Sequence, residues 1–378
     1  MHSVFLIKCA SSACNMKCRY CFYNDECDNR TIRNFGMMSD ATAHAIIDKA
    51  LCGRRDTASF GFQGGEPTMS GLPFFKDFVS YLESKADSSR WTLSLQTNGL
   101  ALDRDWAAFF RQKHFLVGLS LDGSKAVHDL YRLDHSGKGT FSRVFNNARM
   151  LQREGVEFNI LTTVTRQAAD SICALYDFYR RNNFRYLQFT ACIDPIQSGR
   201  GENDYSLTPD SYAEFLTKLF RLYYRDWKRG QYTSIRYFDN LVSLMLTGHA
   251  EECGMNGVCG SYYVIEADGS VFPCDFYVLD SYCIGNINTD SLEEIEKKRK
   301  ELSFVEKSKS AAPECLNCRW FRLCRGGCRR DRENFATGEL EKTYLCEAYR
   351  QFFSQCINEL TEIAEAEAMA VRRQQLMR

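Results

Sequence analysis

The stretch CNMKCRYCFY places Cys14, Cys18 and Cys21 in the spacing Cys-x3-Cys-x2-Cys, directly after the apolar run VFLIK. Three thiolates are one short of the four that close a structural zinc site, and an odd number cannot pair off as disulfides. A cubane iron-sulfur cluster has four irons, so three cysteines leave one iron without a protein ligand. That iron can take an amine and a carboxylate from a small molecule, which is chemistry a closed site cannot perform.

A second cysteine field lies downstream. It runs Cys253, Cys259, Cys274, then CLNCRWFRLCRGGC (Cys315, Cys318, Cys324, Cys328), then Cys346. Eight thiolates suffice for two further four-iron clusters with every iron ligated. YYVIEADGSVFPC predicts two short strands joined at Asp268-Gly269, a hairpin that presents Cys259 and Cys274 together. Four-cysteine zinc sites with a Cys-x2-Cys knuckle are the competing reading, which spacing alone leaves open. The other seven, Cys9, Cys27, Cys52, Cys173, Cys192, Cys283 and Cys356, have no partner spacing and are expected as small core residues.

The elements that must position these groups alternate from Val4 to about Thr190 between apolar runs and amphipathic stretches. VFLIK, SFGFQ, TLSLQ, FLVGLSL, FNILTTV and YLQFT predict six strands. Asp40 to Cys52, Phe74 to Lys85, Asp103 to Lys113, TFSRVFNNARMLQREG and Ala168 to Asn182 predict crossover helices. In TFSRVFNNARMLQREG, Thr140 is the expected cap, Phe141, Val144, Phe145, Ala148 and Leu151 share a face, and Gly155 is the expected left-handed stop. Six β-α units amount to a partial (β/α)6 TIM barrel, with chemistry at the C-terminal ends of the strands. After Pro209 the pattern changes to two helices, Ser211 to Lys228 and Ile235 to Thr247, and then to the cysteine-rich region. Tyr349 to Arg378 predicts a terminal helix with a fraying end.

Bulk composition narrows the surroundings. The 378 residues carry 48 Lys plus Arg against 48 Asp plus Glu, which removes the electrostatic case for nucleic acid or an anionic membrane as partner. No apolar run approaches the ~20 residues that span a bilayer, and VFLI lacks the flanks of a secretory signal. The expectation is a cytoplasmic protein, where 18 cysteines imply metal ligation more than disulfides.

The three-cysteine loop resembles the hallmark of the radical S-adenosylmethionine superfamily, and GGEP, Gly64 to Pro67, resembles its second motif. The resemblance implies that the cofactor's methionine part chelates the open iron. It also implies that Tyr20 lies against adenine, Gly65 approaches the methionine amino group, Ser120 reaches the ribose, Arg132 the carboxylate, and Ile193 the adenine where leucine is usual. For Arg132 the competing reading is a surface ion pair.

The second field resembles the SPASM extension, Cys-x9-15-Gly-x4-Cys followed by Cys-x2-Cys-x5-Cys-x3-Cys and a final Cys. That resemblance assigns Cys253, Cys259, Cys274 and Cys328 to one auxiliary [4Fe-4S] cluster and Cys315, Cys318, Cys324 and Cys346 to the other, three clusters in all. The implied division is a barrel over 1–235, a SPASM domain over 236–348 and a terminal helix over 349–378.

FQGGEPT, SIRYFDNL, CGMNG and DGSVFPCDFYVLD resemble the anaerobic sulfatase-maturating enzymes over nearly the whole chain. The resemblance implies oxygen-free oxidation of a Cys or Ser in a sulfatase polypeptide, in a Cys-x-Pro-x-Arg or Ser-type motif, to Cα-formylglycine. Asp275 is then the general base, and flavodoxin or ferredoxin an electron donor. Gln63, Tyr237 and Asp239 are further candidates for the peptide groove. The alternative is a SPASM maturase that crosslinks a ribosomal peptide. Such enzymes often carry an N-terminal recognition domain, whereas here the first strand starts within a few residues of Met1.

Cluster and zinc readings differ in metal content. Anaerobically purified protein should hold about twelve irons per chain and little zinc; colourless, zinc-loaded protein would return the zinc scaffold.

Overall fold

A computed structural model describes residues 2–376. The chain divides into two compact units built from non-contiguous segments: Met1–Leu121, His128–Leu161 and Gly260–Phe304 in the first, Asp122–Val127, Thr162–Cys259 and Val305–Arg378 in the second.

All six expected strands form: β1 (His2–Lys8), β2 (Thr57–Phe62), β3 (Trp91–Thr97), β4 (Leu116–Ser120), β5 (Phe158–Val164) and β6 (Tyr186–Ala191). With the helices between them they make the six β-α repeats of a partial (β/α)6 barrel. In the first unit β1 to β5 pair in parallel in chain order. Aromatic residues supply much of its core: Phe5, Phe60, Phe62, Phe75 and Phe78 are all buried, with edge-on contacts at 5.5 Å between Phe60 and Phe78 and 4.9 Å between Phe62 and Phe75. Rings that meet edge to face add to the area they bury.

The hairpin forms as expected, with β8 (Tyr263–Glu266) and β9 (Ser270–Phe272) on either side of Gly269 at φ 89°. Its placement was not foreseen. β8 pairs in parallel with β1, in the register Phe5↔Tyr263 through Lys8↔Glu266, and so adds the cysteine-rich segment to the outer edge of the barrel sheet.

Helix ends follow local chemistry. Asp103 accepts a hydrogen bond from the Trp106 amide, and Gly155 closes Phe141–Glu154 at φ 69°. Thr140 precedes that helix without capping it, because its hydroxyl donates to the Arg132 carbonyl instead. The segment expected as one helix from Ala168 to Asn182 is two, Arg166–Asp170 and Ile172–Arg181, divided at Ser171.

In the second unit β6 pairs with β7 (Ser234–Ile235). Helix Pro209–Lys228 starts on a Thr208–Ser211 capping box and packs on Cys346–Leu376 through Phe220 and Phe352, 5.7 Å apart. The terminal helix is therefore anchored, with Phe352, Phe353, Cys356, Leu360, Ile363 and Ala364 buried. Among the described residues no helix is long and apolar enough to cross a membrane.

Phe5 stacks between Phe60 and Tyr263, at 5.7 and 5.0 Å. Phe5→Ala should cost about 3–5 kcal/mol, read as a fall in the anaerobic unfolding midpoint; an unchanged midpoint would mean that the β1–β8 seam does not carry the core.

Candidate active site

The three-cysteine loop leaves β1 after two tight turns, with Ser11 N–H on the Lys8 carbonyl and Ala13 N–H on the Ala10 carbonyl. Ser11 sits at φ 48°, a left-handed position that reverses the chain. The Cys14 thiol accepts from the Met16 amide at 3.4 Å and from Asn98 Nδ2 at 3.6 Å, and burial pushes it up to about 11. Burial also raises Cys21, against the pull of Arg132 and Lys8. Thiols this reluctant to ionise alone become thiolates against a cationic metal centre.

GGEP supplies the opposite wall of the loop. Gly64 and Gly65 both have positive φ, 95° and 55°, and a Cβ on Gly65 would stand 2.4 Å from the Ala13 carbonyl oxygen and 2.7 Å from that of Ser11. Only glycine fits between these carbonyls. Glu66 ties the walls together: its amide donates to the Ala13 carbonyl, and its buried carboxylate accepts from Thr68, the Thr97 hydroxyl at 2.7 Å and the Asn98 amide at 2.7 Å. Sequence reading had singled out the glycines and passed over this carboxylate.

Tyr20, Arg132 and Ser120 are buried in the same unit, with the Arg132 guanidinium 5.5 Å from the centre of the Tyr20 ring. At 7% exposure Arg132 does not lie at the surface, where its alternative reading placed it. Ile193 is half-buried after β6 in the second unit.

Asp275 is 5% exposed, on the residue after Cys274. Its Oδ2 accepts from the Tyr23 hydroxyl at 2.7 Å and from Gln63 Nε2 at 2.5 Å. Oδ1 has no hydrogen-bond partner among the described residues and stands 3.9 Å from Lys8 Nζ. Burial raises the Asp275 carboxyl, against the pull of Lys8, Tyr23 and Gln63. A carboxylate so placed is a stronger base than an exposed one. Gln63 therefore orients Asp275, while Asp239 is occupied by Ser234 and Tyr223 and Tyr237 packs near Phe238 at 5.8 Å.

Beneath Asp275 lie charges that sequence reading missed. Lys8 Nζ is 3.7 Å from Glu26 and 3.9 Å from Glu266, and Arg30 binds Glu266 at 2.6 Å. The Tyr23 ring lies over the Lys8 ammonium, 4.4 Å to its centre. Lys8 is the one charge in an apolar strand, and that anomaly was the available signal.

The auxiliary cysteines divide between the units. Cys315, Cys318, Cys324 and Cys346 line one cavity of about 380 Å³ in the second unit, room for a multi-atom cluster. Gly326 and Gly327, at φ 86° and 79°, turn the chain between Cys324 and Cys328. Cys253, Cys259 and Cys328 are also in the second unit; burial raises the Cys259 thiol, against the pull of Ser308, Arg329 and Arg332. Cys274 is buried in the first unit and accepts from the Tyr262 hydroxyl at 3.3 Å. Among the described residues no three His, Cys, Asp or Glu side chains converge as a single ion would require. The set Cys315, Cys318, Cys324 and Cys346 suits a four-iron cluster in thiol chemistry and in room. None of the 18 cysteines is in a disulfide. Of the seven without partner spacing only Cys9, Cys27 and Cys356 are core residues; Cys192 is half-buried, and Cys52, Cys173 and Cys283 are exposed at element ends, which corrects the expectation for them.

Comparison with known proteins agrees with this layout. Residues 10–179 match the radical SAM superfamily, and residues 253–319 the SPASM iron-sulfur cluster-binding domain. A cysteine-type anaerobic sulfatase-maturating enzyme of Clostridium novyi is 44% identical over 95% of this chain and 96% of its own. A serine-type counterpart from Bacteroides thetaiotaomicron is 29% identical over 92% of this chain and 88% of its own. The solved structure of native anSMEcpe with bound AdoMet and Cp18Cys peptide superposes with a TM-score of 0.92 at 40% identity, covering 97% of this chain and 99% of that one.

Gly65→Ala puts a methyl group against two carbonyl oxygens that cannot retreat. It should weaken S-adenosylmethionine binding more than about tenfold in anaerobic equilibrium dialysis; unaltered binding would detach this wall from the cofactor.

Proposed function

The chain belongs to the family of anaerobic sulfatase-maturating enzymes, and from that premise we propose that it oxidises one side chain of a sulfatase polypeptide to Cα-formylglycine without oxygen. It is a radical S-adenosylmethionine enzyme with [4Fe-4S] clusters and a SPASM domain, acting on a peptide. The identity of 44% to a cysteine-type relative against 29% to a serine-type one favours cysteine as the residue converted. A crosslinking peptide maturase is the weaker reading, because the family match extends over nearly the full chain.

When bound, the cofactor and clusters supply one-electron chemistry, removing a hydrogen atom from the substrate's side-chain carbon and accepting the second electron. Cys14, Cys18 and Cys21 would hold the cofactor-binding cluster, with Tyr20, Gly65, Ser120, Arg132 and Ile193 around the cofactor. Cys253, Cys259, Cys274 and Cys328 would hold the first auxiliary cluster, and Cys315, Cys318, Cys324 and Cys346 the second. The functional partition is 1–235, 236–348 and 349–378. A flavodoxin or ferredoxin in the cytoplasm would be the reductant.

The protein's own step is a proton transfer. Asp275 takes the thiol proton on Oδ1, the buried oxygen that carries no hydrogen bond among the described residues, Tyr23 and Gln63 both being on Oδ2. Loss of that proton makes the adjacent carbon radical easier to oxidise, giving a thioaldehyde whose hydrolysis forms the aldehyde and releases hydrogen sulfide. The observation that carries the reading is this buried carboxylate, one residue after a cluster cysteine, with a lone acceptor oxygen.

A short peptide with Cys-x-Pro-x-Arg should lose sulfur and gain an aldehyde, seen by mass measurement and hydrazide capture; an internal crosslink would favour the peptide maturase. Asp275→Asn should lower formylglycine yield by about 10²–10⁴ with all three clusters retained, and full activity would remove Asp275 from the reaction.

A further inference from the structure

The charges beneath Asp275 do not balance. Lys8 and Arg30 face three carboxylates, Glu26, Glu266 and Asp275, and each of the five residues is at most 8% exposed. An unneutralised anion so far from water is strongly disfavoured, so the cluster must take up a proton.

The three carboxylates are not equally served. Glu266 receives Arg30 at 2.6 Å and the Ala267 amide at 3.2 Å. Asp275 receives two neutral donors on Oδ2. Glu26 is 2% exposed, and among the described residues neither of its oxygens has a hydrogen-bond partner of good geometry; only the Val278 amide faces it, and the nearest cation, Lys8 Nζ, is 3.7 Å away. Among the described residues Lys8 Nζ also makes no hydrogen bond. It stands almost equally far from Glu26 and Asp275, so the charge state of one decides how firmly it holds the other.

We propose that Glu26 holds the proton this cluster requires, and that Lys8, left to face Asp275 and the Arg30-paired Glu266, is the positioning residue that fixes Asp275 through Oδ1. The groups facing Glu26 are Lys8 from β1, Asp275 from the segment after β9, Arg30 from the loop beyond its own helix, and its neighbour Cys27; Glu266 and Tyr23 face the same lysine. Burial pushes the Glu26 carboxyl up to about 8, with Lys8 opposing and Asp275 adding to the rise. The Glu26 assignment stands independently of the catalytic reading, whereas the role of Lys8 rests on Asp275 being the base.

A carboxyl raised in the folded state contributes stability that is full below its unfolded value of about 4.3 and is lost as pH rises towards about 8. In anaerobic holoenzyme, infrared spectra at pH 7 should show a protonated-carboxyl C=O band that Glu26→Gln abolishes. The unfolding midpoint of the parent should fall more steeply between pH 5 and pH 8 than that of Glu26→Gln, about 1.4 kcal/mol per pH unit being the limiting slope of one proton. Retention of the band and an unchanged slope in the variant would overturn the assignment of the proton to Glu26. For Lys8, Lys8→Met should lower formylglycine formed per 5′-deoxyadenosine by at least about tenfold, with partial recovery in Lys8→Arg. An unchanged ratio would overturn its positioning role; should Lys8→Met not fold, the ratio in Lys8→Arg decides alone, an intermediate value supporting the role and a parental one overturning it.

Discussion

The parallel pairing of β1 with β8 is the constraint on which the site depends. It joins the first strand of the chain to the segment Tyr263–Glu266 in one register and sets Lys8 beside Glu266. A slip of one residue would turn these partners to the opposite face of the sheet. The three-cysteine loop starts directly beyond Lys8, and the hairpin beyond Glu266 leads to Cys274 and Asp275. β9 runs back antiparallel to β8, and the Lys8 ammonium, 3.9 Å from Asp275 Oδ1, is what links the base to the strand end from which the cluster loop departs.

Burial gives the site its chemistry and its cost. A carboxylate shielded from water is a better base, but removing it from water costs several kcal/mol unless charge and hydrogen bonds compensate. Here the compensation is graded: Arg30 makes close contact with Glu266, whereas Lys8 keeps nearly 4 Å from every carboxylate it faces. A salt bridge at contact distance would hold Asp275 more tightly and leave it less able to take a proton. Tyr23 and Gln63 fix orientation from the other oxygen without neutralising the charge.

Much of this was legible in the sequence, because the strands, the cysteine spacings and the two glycine turns each follow a local rule. Alternating aromatic and small residues declared β2, and Asp268-Gly269 declared the hairpin. Asp275 was found through its neighbour Cys274. Lys8, Glu26, Arg30 and Glu266 were not found, since each is a lone charge whose partner is set by strand register and not by spacing. Thr140 shows the same limit on a small scale: its type suits a helix cap, but a carbonyl brought close by the fold engages it first. The exposed cysteines Cys52, Cys173 and Cys283 show that absence of a partner spacing says little about burial.

An anaerobic crystal structure with S-adenosylmethionine and a Cys-x-Pro-x-Arg peptide tests the central claim most directly. The substrate sulfur should lie within hydrogen-bonding distance of Asp275 Oδ1, with Tyr23 and Gln63 still on Oδ2 and Lys8 behind. A peptide cysteine seated away from Asp275, or an Oδ1 enclosed by protein groups when substrate is bound, would contradict the account.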